Sequence, residues 1–381
     1  MHKLSDFNIE NKNLTIRVDM NVPIKDGMVV DQTRINACIP TIELALKKNA
    51  NILLVSHLGR PEEGKHDSSL SLIPVAKCIS EIFQVPVDVI NSLDDISIFN
   101  GSSSIQILEN IRFFDGEMGN KDSLGKSLAN IGDIYVFDAF GTSHREQAST
   151  HSAIINSKAS CAGLLLEKEI SALTKALKNA ESPFVAVIGG AKVSTKLELI
   201  KNINLKADSI IVGGGIANTF IKASGYEIGK SLYEESMLDI ASEILEGNKI
   251  MLPEKVITSS TFEGDNIQEK MLSDIGEDEM ILDQSLTAAM KETLINSKTI
   301  LWNGPLGVFE NESFSKGTKD LSKTIAGCDS FSLAGGGETL TAINNFINKD
   351  DVSYCSTGGG AFLEFMEGKE LPSIAALKAK N

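Results

Sequence analysis

The five arginines of the chain are its most informative residues, because all of them lie before residue 146. Four follow a predicted buried strand, either on the loop after it or at the start of the next helix: Arg34, Arg60, Arg112 and Arg145. Arginine presents a planar fork of donors that matches carboxylate and phosphate groups. Four forks at equivalent places predict a shared site for an anionic small molecule, with four separate surface charges as the alternative.

Other candidate residues follow the same strands. Asp19 and Asn21 come after the first predicted strand, and His57, Leu58 and Gly59 come after the second. Ligands of open α/β sheets bind at the carboxyl ends of the strands, so these residues are candidates for the same anion site. Ordinary turn chemistry for the first pair and a solvated loop for the second group are the alternatives.

The second half of the chain carries the glycine clusters, of which AGGGETLTAI (334–343) is the clearest. It joins a short predicted strand to a helical pattern, and free N–H groups at such a junction can hold a phosphate. Glu338 would repel phosphate unless a cation lay between them, which predicts a metal–nucleotide site. A glycine-rich turn without a ligand remains the alternative, since this stretch matches neither the dinucleotide fingerprint nor the Walker loop.

Two lysines follow another glycine pair, Gly189 and Gly190. Lys192 and Lys196 are four residues apart, so a helix would place them on one face. Lysines beside glycines at a strand exit suit a polyphosphate, and the alternative is a tight turn with solvated lysines.

Alternating strands and helices must position these residues. Apolar runs predict strands at 14–18, 51–56, 87–90, 104–108, 134–137, 184–188, 210–212, 252–258, 299–302, 331–333 and 355–357. Apolar periodicity predicts helices at 33–47, 72–83, 163–178 and 361–366, with Pro40 predicting a kink or a late start in the first. This alternation predicts an α/β fold with a doubly wound parallel sheet in each half.

Composition narrows the class of protein. A chain of 381 residues is too long for one ordinary core, so we expect two domains. The net charge of −15 argues against nucleic acid as a general partner. No apolar run reaches the roughly 20 residues of a membrane span, and the N-terminus lacks the pattern of a signal peptide. Five scattered cysteines without a CxxC motif fit reduced thiols, so we expect a cytoplasmic protein.

Nine sequence blocks, in order along essentially the whole chain, resemble the phosphoglycerate kinase family. They are RVDMNVP (17–23), DQTRI (31–35), SHLGRP (56–61), LENIRF (108–113), DAFGTSHR (138–145), GGAKVSTK (189–196), WNGPLGVFE (302–310), GGGET (335–339) and STGGGA (356–361). One block alone is weak evidence, whereas nine in the family's order are highly specific.

The resemblance implies two Rossmann-like domains joined by a hinge helix. The expected boundaries are 1–162 for a phosphoglycerate-binding domain, 163–180 for the helix and 181–370 for a nucleotide-binding domain, with 371–381 packing back on the first domain. It also implies reversible phosphoryl transfer between 1,3-bisphosphoglycerate and Mg-ADP, giving 3-phosphoglycerate and ATP, in a cleft closed by hinge motion. A monomer that binds only these small molecules is expected by analogy.

The resemblance also implies residue roles. The substrate-binding positions are Asp19, Asn21, Arg34, His57, Leu58, Gly59, Arg60, Arg112 and Arg145, while Arg17 is expected to be structural. The nucleotide-binding positions are Lys196, Gly213, Gly214, Gly215, Asn303, Glu310, Gly336, Gly337, Glu338 and Thr339. The expected catalytic residues are Arg34, Lys192, Lys196 and Gly359, and Glu338 is expected to handle Mg²⁺.

Glu338 is also the main departure from the family, which usually has aspartate there. The extra methylene could shift the metal, so a binding protein of the same fold with impaired chemistry is one alternative to the active kinase. A nucleotide-binding dehydrogenase is another, and the missing GxGxxG motif and the arginine cluster count against it.

Overall fold

The structure is a computed structural model that describes residues 1–96 and 105–380. The chain divides into two compact units. Unit 1 comprises Met1–Ile170 and Glu370–Asn381, and unit 2 comprises Ser171–Lys369. The division after Ile170 therefore falls within the helix that the sequence predicts between the domains.

Unit 1 is built around one parallel sheet. Up to the end of the helix that crosses the division, the elements are β1 (Asn13–Val18), β2 (Ile24–Lys25), β3 (Met28–Val29), α1 (Thr33–Lys47), β4 (Asn51–Val55), α2 (Ile73–Phe83), β5 (Val87–Ile90), β6 (Ile105–Leu108), α3 (Asp122–Ala129), β7 (Ile134–Asp138), α4 (Ala153–Asn156), β8 (Ser160–Ala162) and α5 (Leu164–Leu177). In the described residues the sheet order is β5-β6-β4-β1-β7-β8, with β2 and β3 as a separate hairpin. The chain thus moves from β1 to one side first and returns to the other side with β7.

The central strands of unit 1 are apolar runs because helices cover both faces of a parallel sheet. Helix α1 contributes a buried stripe that includes Ile35, Cys38 and Ile42. It begins at Thr33 and continues through Pro40, so the late helix start allowed by the sequence is wrong. The strand predicted over 104–108 is β6, and residue 104 lies outside the described residues.

Unit 2 contains a second parallel sheet. Its elements are β9 (Phe184–Gly189), α6 (Leu197–Asn204), β10 (Ser209–Gly213), α7 (Gly214–Ala223), α8 (Leu238–Leu245), β11 (Ile250–Met251), β12 (Lys255–Ser259), β13 (Gln268–Met271), β14 (Met280–Gln284), α9 (Ala288–Ile295), β15 (Thr299–Asn303), α10 (Lys316–Ala326), β16 (Phe331–Ala334), α11 (Gly337–Phe346), β17 (Tyr354–Cys355) and α12 (Gly360–Met366). The last helix of the chain, α13 (Pro372–Ala379), belongs to unit 1. The sheet order β11-β10-β9-β15-β16-β17 is that of dinucleotide-binding folds, and it reverses between β9 and β15.

The predicted pair of doubly wound parallel sheets is confirmed, but unit 2 also has an antiparallel sheet that the sequence did not predict. The run 252–258 was expected to be one strand, whereas β11 ends at Met251 and β12 pairs with β13 and β14. Pro253 separates the two strands because it has no N–H for a sheet ladder. Strand β13 reads Gln-Glu-Lys-Met and is largely exposed, so it carries no apolar signal.

Candidate active site

The carboxyl ends of β1, β4 and β7 lie side by side in unit 1, where the strand order reverses. Open α/β sheets bind ligands at such a point. Asp19 and Asn21 follow β1, His57 to Arg60 follow β4, and a 3₁₀ turn at Phe140–Thr142 leads from β7 to Arg145. Arg112 follows β6 on a second 3₁₀ turn, Ile111–Phe113.

Hydrogen bonds link three of these segments. Arg34, at the start of α1, donates from Nη1 to Asp19 Oδ1 and to the Asn21 carbonyl, both at 3.1 Å. The Gly59 N–H donates to Asn21 Oδ1 at 2.9 Å, and Arg112 Nη1 donates to the Gly59 carbonyl. The site therefore has a fixed frame in which Arg34, half-buried, keeps part of its guanidinium accessible.

The loop after β4 is held rigidly. Leu58 is buried and pairs through its backbone N–H and C=O with the side-chain amide of Asn110, at 3.2 and 2.7 Å. His57 is buried beside the arginines, and burial together with Arg17, Arg112, Arg145 and Arg34 lowers its pKa well below the ordinary value. The imidazole is therefore neutral at pH 7.

Arg112 is a buried cation with unfilled hydrogen-bond donors. It is 4% exposed, and neither its Nε nor its Nη2 has a hydrogen-bond partner among the described residues. Burial, Arg145 and Arg17 lower its pKa to about 10, an effect that Glu117 and Asp19 oppose, so the guanidinium is still charged at pH 7. Unpaired buried donors on a charged group are costly, which indicates a place for an anion.

The remaining arginines differ in exposure. Arg145 is half-buried, and Arg60 is exposed at the end of its loop. Arg17 lies inside β1 and is 1% exposed, with its Nε donating to Ser149 Oγ at 2.9 Å. The structure thus gathers Arg17, Arg34, Arg112 and Arg145 within electrostatic range of His57.

In unit 2, Lys196 lies where the strand order reverses. Its Nζ donates to the carbonyl of Gly189 at the end of β9, at 2.6 Å. It also donates to Asn303 at the end of β15, at 2.7 Å to Oδ1 and 3.3 Å to the carbonyl. These acceptors are neutral, and burial lowers the pKa of Lys196 to about 8, an effect that Glu338 opposes. A half-buried ammonium held only by carbonyl and amide oxygens can bind a phosphate.

A cavity of about 450 Å³ opens beside this strand reversal. It has the size of a small-molecule site. Among the residues that line it are predicted ones, Gly214, Gly215, Glu310 and Glu338, and apolar ones from three segments, Leu232, Leu282, Leu306 and Val308. An apolar chamber with carboxylates at its edge suits a nucleobase and the hydroxyl groups of a ribose.

Some of the other residues predicted to bind the nucleotide are buried and bonded within the protein, and others lie at the start of α11. Asn303 and Thr339 are buried, and their side chains bond within the protein: Asn303 donates to the Gly335 carbonyl at 2.7 Å, and Thr339 accepts from the Gly304 N–H at 2.8 Å. Gly336 has a φ of 97° at the start of α11, a conformation that favours glycine. Gly337 is exposed, and a Cβ there would meet nothing within 4 Å, so a ligand can approach its backbone.

Two of the glycines predicted to bind the nucleotide are required by close backbone packing alone. A Cβ on Gly215 would lie 2.2 Å from the Ala191 carbonyl oxygen, and one on Gly213 would lie 2.4 Å from that of Pro305. Both glycines therefore let backbone segments pack closely. Lys192 is exposed on the loop before α6, and Gly359, also exposed, precedes α12 with a φ of 50°.

Sequence reasoning missed the apolar lining of the cavity. Leu306 and Val308 lie inside the block WNGPLGVFE, but only its polar ends, Asn303 and Glu310, were assigned roles. Leu282 lies on β14, which was not predicted. Within the described ranges, no group of three or more His, Cys, Asp or Glu side chains could hold a metal. A cation at Glu338 would thus depend on ligands from the nucleotide itself.

A cluster of arginines in one α/β unit and a lysine beside a cavity of small-molecule size in the other are the features of a phosphotransferase that acts on a small anion. A family model described as phosphoglycerate kinase matches residues 4–369. A phosphoglycerate kinase of Francisella tularensis subsp. novicida is 49% identical over 387 residues, 99% of this chain and 98% of that one.

Solved structures give the same result. Phosphoglycerate kinase from Coxiella burnetii is 43% identical, with a TM-score of 0.95 and 99% of both chains covered. The enzyme from Pyrococcus horikoshii OT3 is 32% identical, with a TM-score of 0.82 over 100% of this chain and 99% of that one. The chain belongs to the phosphoglycerate kinase family.

The expected activity is thereby confirmed. The chain is a glycolytic kinase that transfers a phosphoryl group between 1,3-bisphosphoglycerate and ADP, giving 3-phosphoglycerate and ATP. Neither the dehydrogenase nor the binding protein without activity finds support in these comparisons. No helix in the described parts of the chain combines the length and apolar character that a membrane crossing requires.

Lys196 should make ADP binding depend on pH. Because its pKa is lowered to about 8, the ammonium loses its charge as the pH rises through that value. The dissociation constant of Mg-ADP, measured by calorimetry, should increase about tenfold between pH 7 and pH 9. In Lys196→Arg the charge persists, so the constant should change little, although its absolute value can be higher. Equal affinities of the wild type at both pH values would contradict the assignment.

Proposed function

We propose that unit 1 binds the phosphoglycerate and that Arg112 is the central contact. Its two unpartnered guanidinium nitrogens are the observation that carries the proposal, because an anion is the group that would satisfy them. Arg34, fixed by Asp19 and Asn21, supplies a second fork. The full proposed set is Asp19, Asn21, Arg34, His57, Leu58, Gly59, Arg60, Arg112 and Arg145.

Unit 2 binds the nucleotide in this proposal. The apolar cavity takes the base, and Glu310 at its edge accepts hydrogen bonds from the ribose hydroxyls. Lys196 and the exposed backbone at Gly337 hold the phosphates. Asn303 acts by orienting Lys196. Gly214 and Gly215 line the cavity, and Gly213, Gly336 and Thr339 hold the neighbouring backbone in place.

The transfer step needs alignment and charge neutralisation more than covalent help from the protein. Arg34, Lys192 and Lys196 stabilise the equatorial oxygens of the phosphoryl group in flight, and Gly359 offers backbone close to it. The leaving carboxylate of the acyl phosphate is a weak base, so no general acid is required. In-line transfer needs both substrates together, so the proposal includes the hinge motion that the family resemblance implies.

Mg²⁺ enters this scheme with the nucleotide. A hard cation takes oxygen ligands, and Glu338 lines the nucleotide cavity with an exposed carboxylate. Phosphate oxygens and water would supply the remaining ligands. We further propose that the protein is a cytoplasmic monomer, on the analogy of the family and the scattered single cysteines.

Replacing Arg34 tests its role in the transition state. In Arg34→Ala, kcat should fall by about a hundredfold or more while the nucleotide KM changes less than about threefold. Lys47→Ala is a matched control, because it removes an exposed cation from the other end of the same helix. A coupled assay with Mg-ATP and 3-phosphoglycerate measures both. Proportional losses in kcat and nucleotide affinity would contradict a transition-state role.

Replacing Glu338 tests the metal assignment. In Glu338→Gln the Mg²⁺ concentration needed for half-maximal turnover should rise about tenfold, because a charged ligand is lost. Metal-free ADP should bind more tightly, because a carboxylate no longer repels its phosphates. Glu338→Asp, with the family's usual residue, should retain the metal dependence. If Glu338→Gln has the same Mg²⁺ dependence as the wild type, the residue does not handle the metal.

A further inference from the structure

The buried side chain of Arg17 contacts His57 directly. Its Nη2 lies 3.4 Å from His57 Nδ1, its Nη1 donates to the Val18 carbonyl, and its Nε donates to Ser149 Oγ at 2.9 Å. Both side chains are at least 95% buried, so water does not compete for these contacts. Arg17 is thus fixed at three nitrogens, one of which touches a residue of the proposed phosphoglycerate site.

Ser149 continues the chain of contacts to a buried carboxylate. It lies in a π-helical segment, Ala148–Ser152. Its hydroxyl donates to Glu117 Oε1 at 2.6 Å and its N–H donates to Glu117 Oε2 at 2.8 Å. Ser149 and Glu117 are fully buried, and the Tyr135 hydroxyl donates to the Ser149 carbonyl at 2.6 Å. Glu117, Ser149, Arg17 and His57 therefore form a continuous buried relay beneath the site.

The relay determines which ring nitrogen of His57 carries the proton. A guanidinium has donors but no acceptor, so Nδ1 must accept in its contact with Arg17. In a neutral imidazole the proton then resides on Nε2. The ring is neutral because burial and the surrounding Arg17, Arg112, Arg145 and Arg34 disfavour its charged form.

We propose that the Glu117–Ser149–Arg17 relay positions His57 as a neutral Nε2–H donor toward an oxygen of the phosphoglycerate. Arg17, Ser149 and Glu117 are positioning residues that need not touch the substrate. The relay gives the site a neutral donor with a single N–H, beside arginines that are charged forks. The proposal rests on the proposed role of His57 in binding phosphoglycerate.

The tautomer can be measured directly in the intact protein. Histidine labelled with ¹⁵N, assigned among the five histidines with His57→Gln, reports the tautomer through its ring nitrogen shifts. At pH 7 we expect Nδ1 to have the shift of an unprotonated nitrogen and Nε2 that of a protonated one. A protonated Nδ1, or an imidazolium with both nitrogens protonated, would overturn the proposal.

Ser149→Ala tests the relay. It should raise the KM for 3-phosphoglycerate about tenfold, leave the ATP KM within about twofold, and convert the His57 spectrum to a mixture of tautomers. Ser152→Ala removes a hydroxyl from the same π-helical segment whose contacts are with Asp122 and Asn156, so it should change neither readout. If Ser149→Ala does not fold, Glu117→Gln breaks the same relay with a smaller change in shape.

The results for His57→Gln and for the relay variants distinguish the proposed role of His57 from the proposed relay. If His57→Gln leaves the KM for 3-phosphoglycerate unchanged, the proposed role of His57 fails. If His57→Gln raises that KM but neither relay variant alters the KM or the His57 spectrum, only the relay fails.

Discussion

Buried positive charge with unfilled hydrogen-bond donors is the constraint on which the candidate site depends. Arg112 is covered by the protein yet has two guanidinium nitrogens without acceptors in the described residues. Arg145 and Arg17 lie close enough to depress its pKa rather than to relieve it. Folding therefore carries an electrostatic cost, which a bound anion would offset. The hydrogen-bond frame around Asp19, Asn21 and Gly59 holds Arg34 and Arg112 in place.

Unit 2 also has a desolvated cation at its candidate site, here an ammonium whose pKa is lowered to about 8. Lys196 is desolvated at the point of strand reversal and rests on three neutral oxygens, so its charge is available to phosphate. Close-packed glycines allow the surrounding loops to approach one another, and the cavity beside them has an apolar lining that a base would fit. Rigid strand ends thus position both charged groups, which is what phosphoryl transfer requires of a protein.

The parallel sheets and most strand ends could be predicted from the sequence, because buried strands are apolar runs and the candidate site residues follow them. The arginines were found because their positions are few and equivalent. The apolar cavity could not be found this way, since Leu306 and Val308 look like any core residues until the loop after β15 is folded. The exposed strand β13 carries no apolar pattern, and Thr339 needed the structure to show that its hydroxyl bonds to a backbone N–H.

The hydrogen-bond partners of Arg17 could not be predicted from the order of residues in the chain. The sequence places it within a strand, which is consistent with a structural role, but its hydrogen bond with Ser149 joins residues 132 positions apart, and Ser149 in turn bonds to Glu117. Such long-range pairings depend on the order of strands in the sheet. Local periodicity does not determine that order.

Hydrogen exchange with each substrate alone tests most directly whether the two units divide the binding of the substrates. We expect 3-phosphoglycerate to slow exchange most in the loops after β1, β4, β6 and β7. Mg-ADP should slow it most in the loops after β9, β10, β15 and β16. Strongest protection by 3-phosphoglycerate in the glycine loops of unit 2, or by Mg-ADP in the arginine loops of unit 1, would contradict the account.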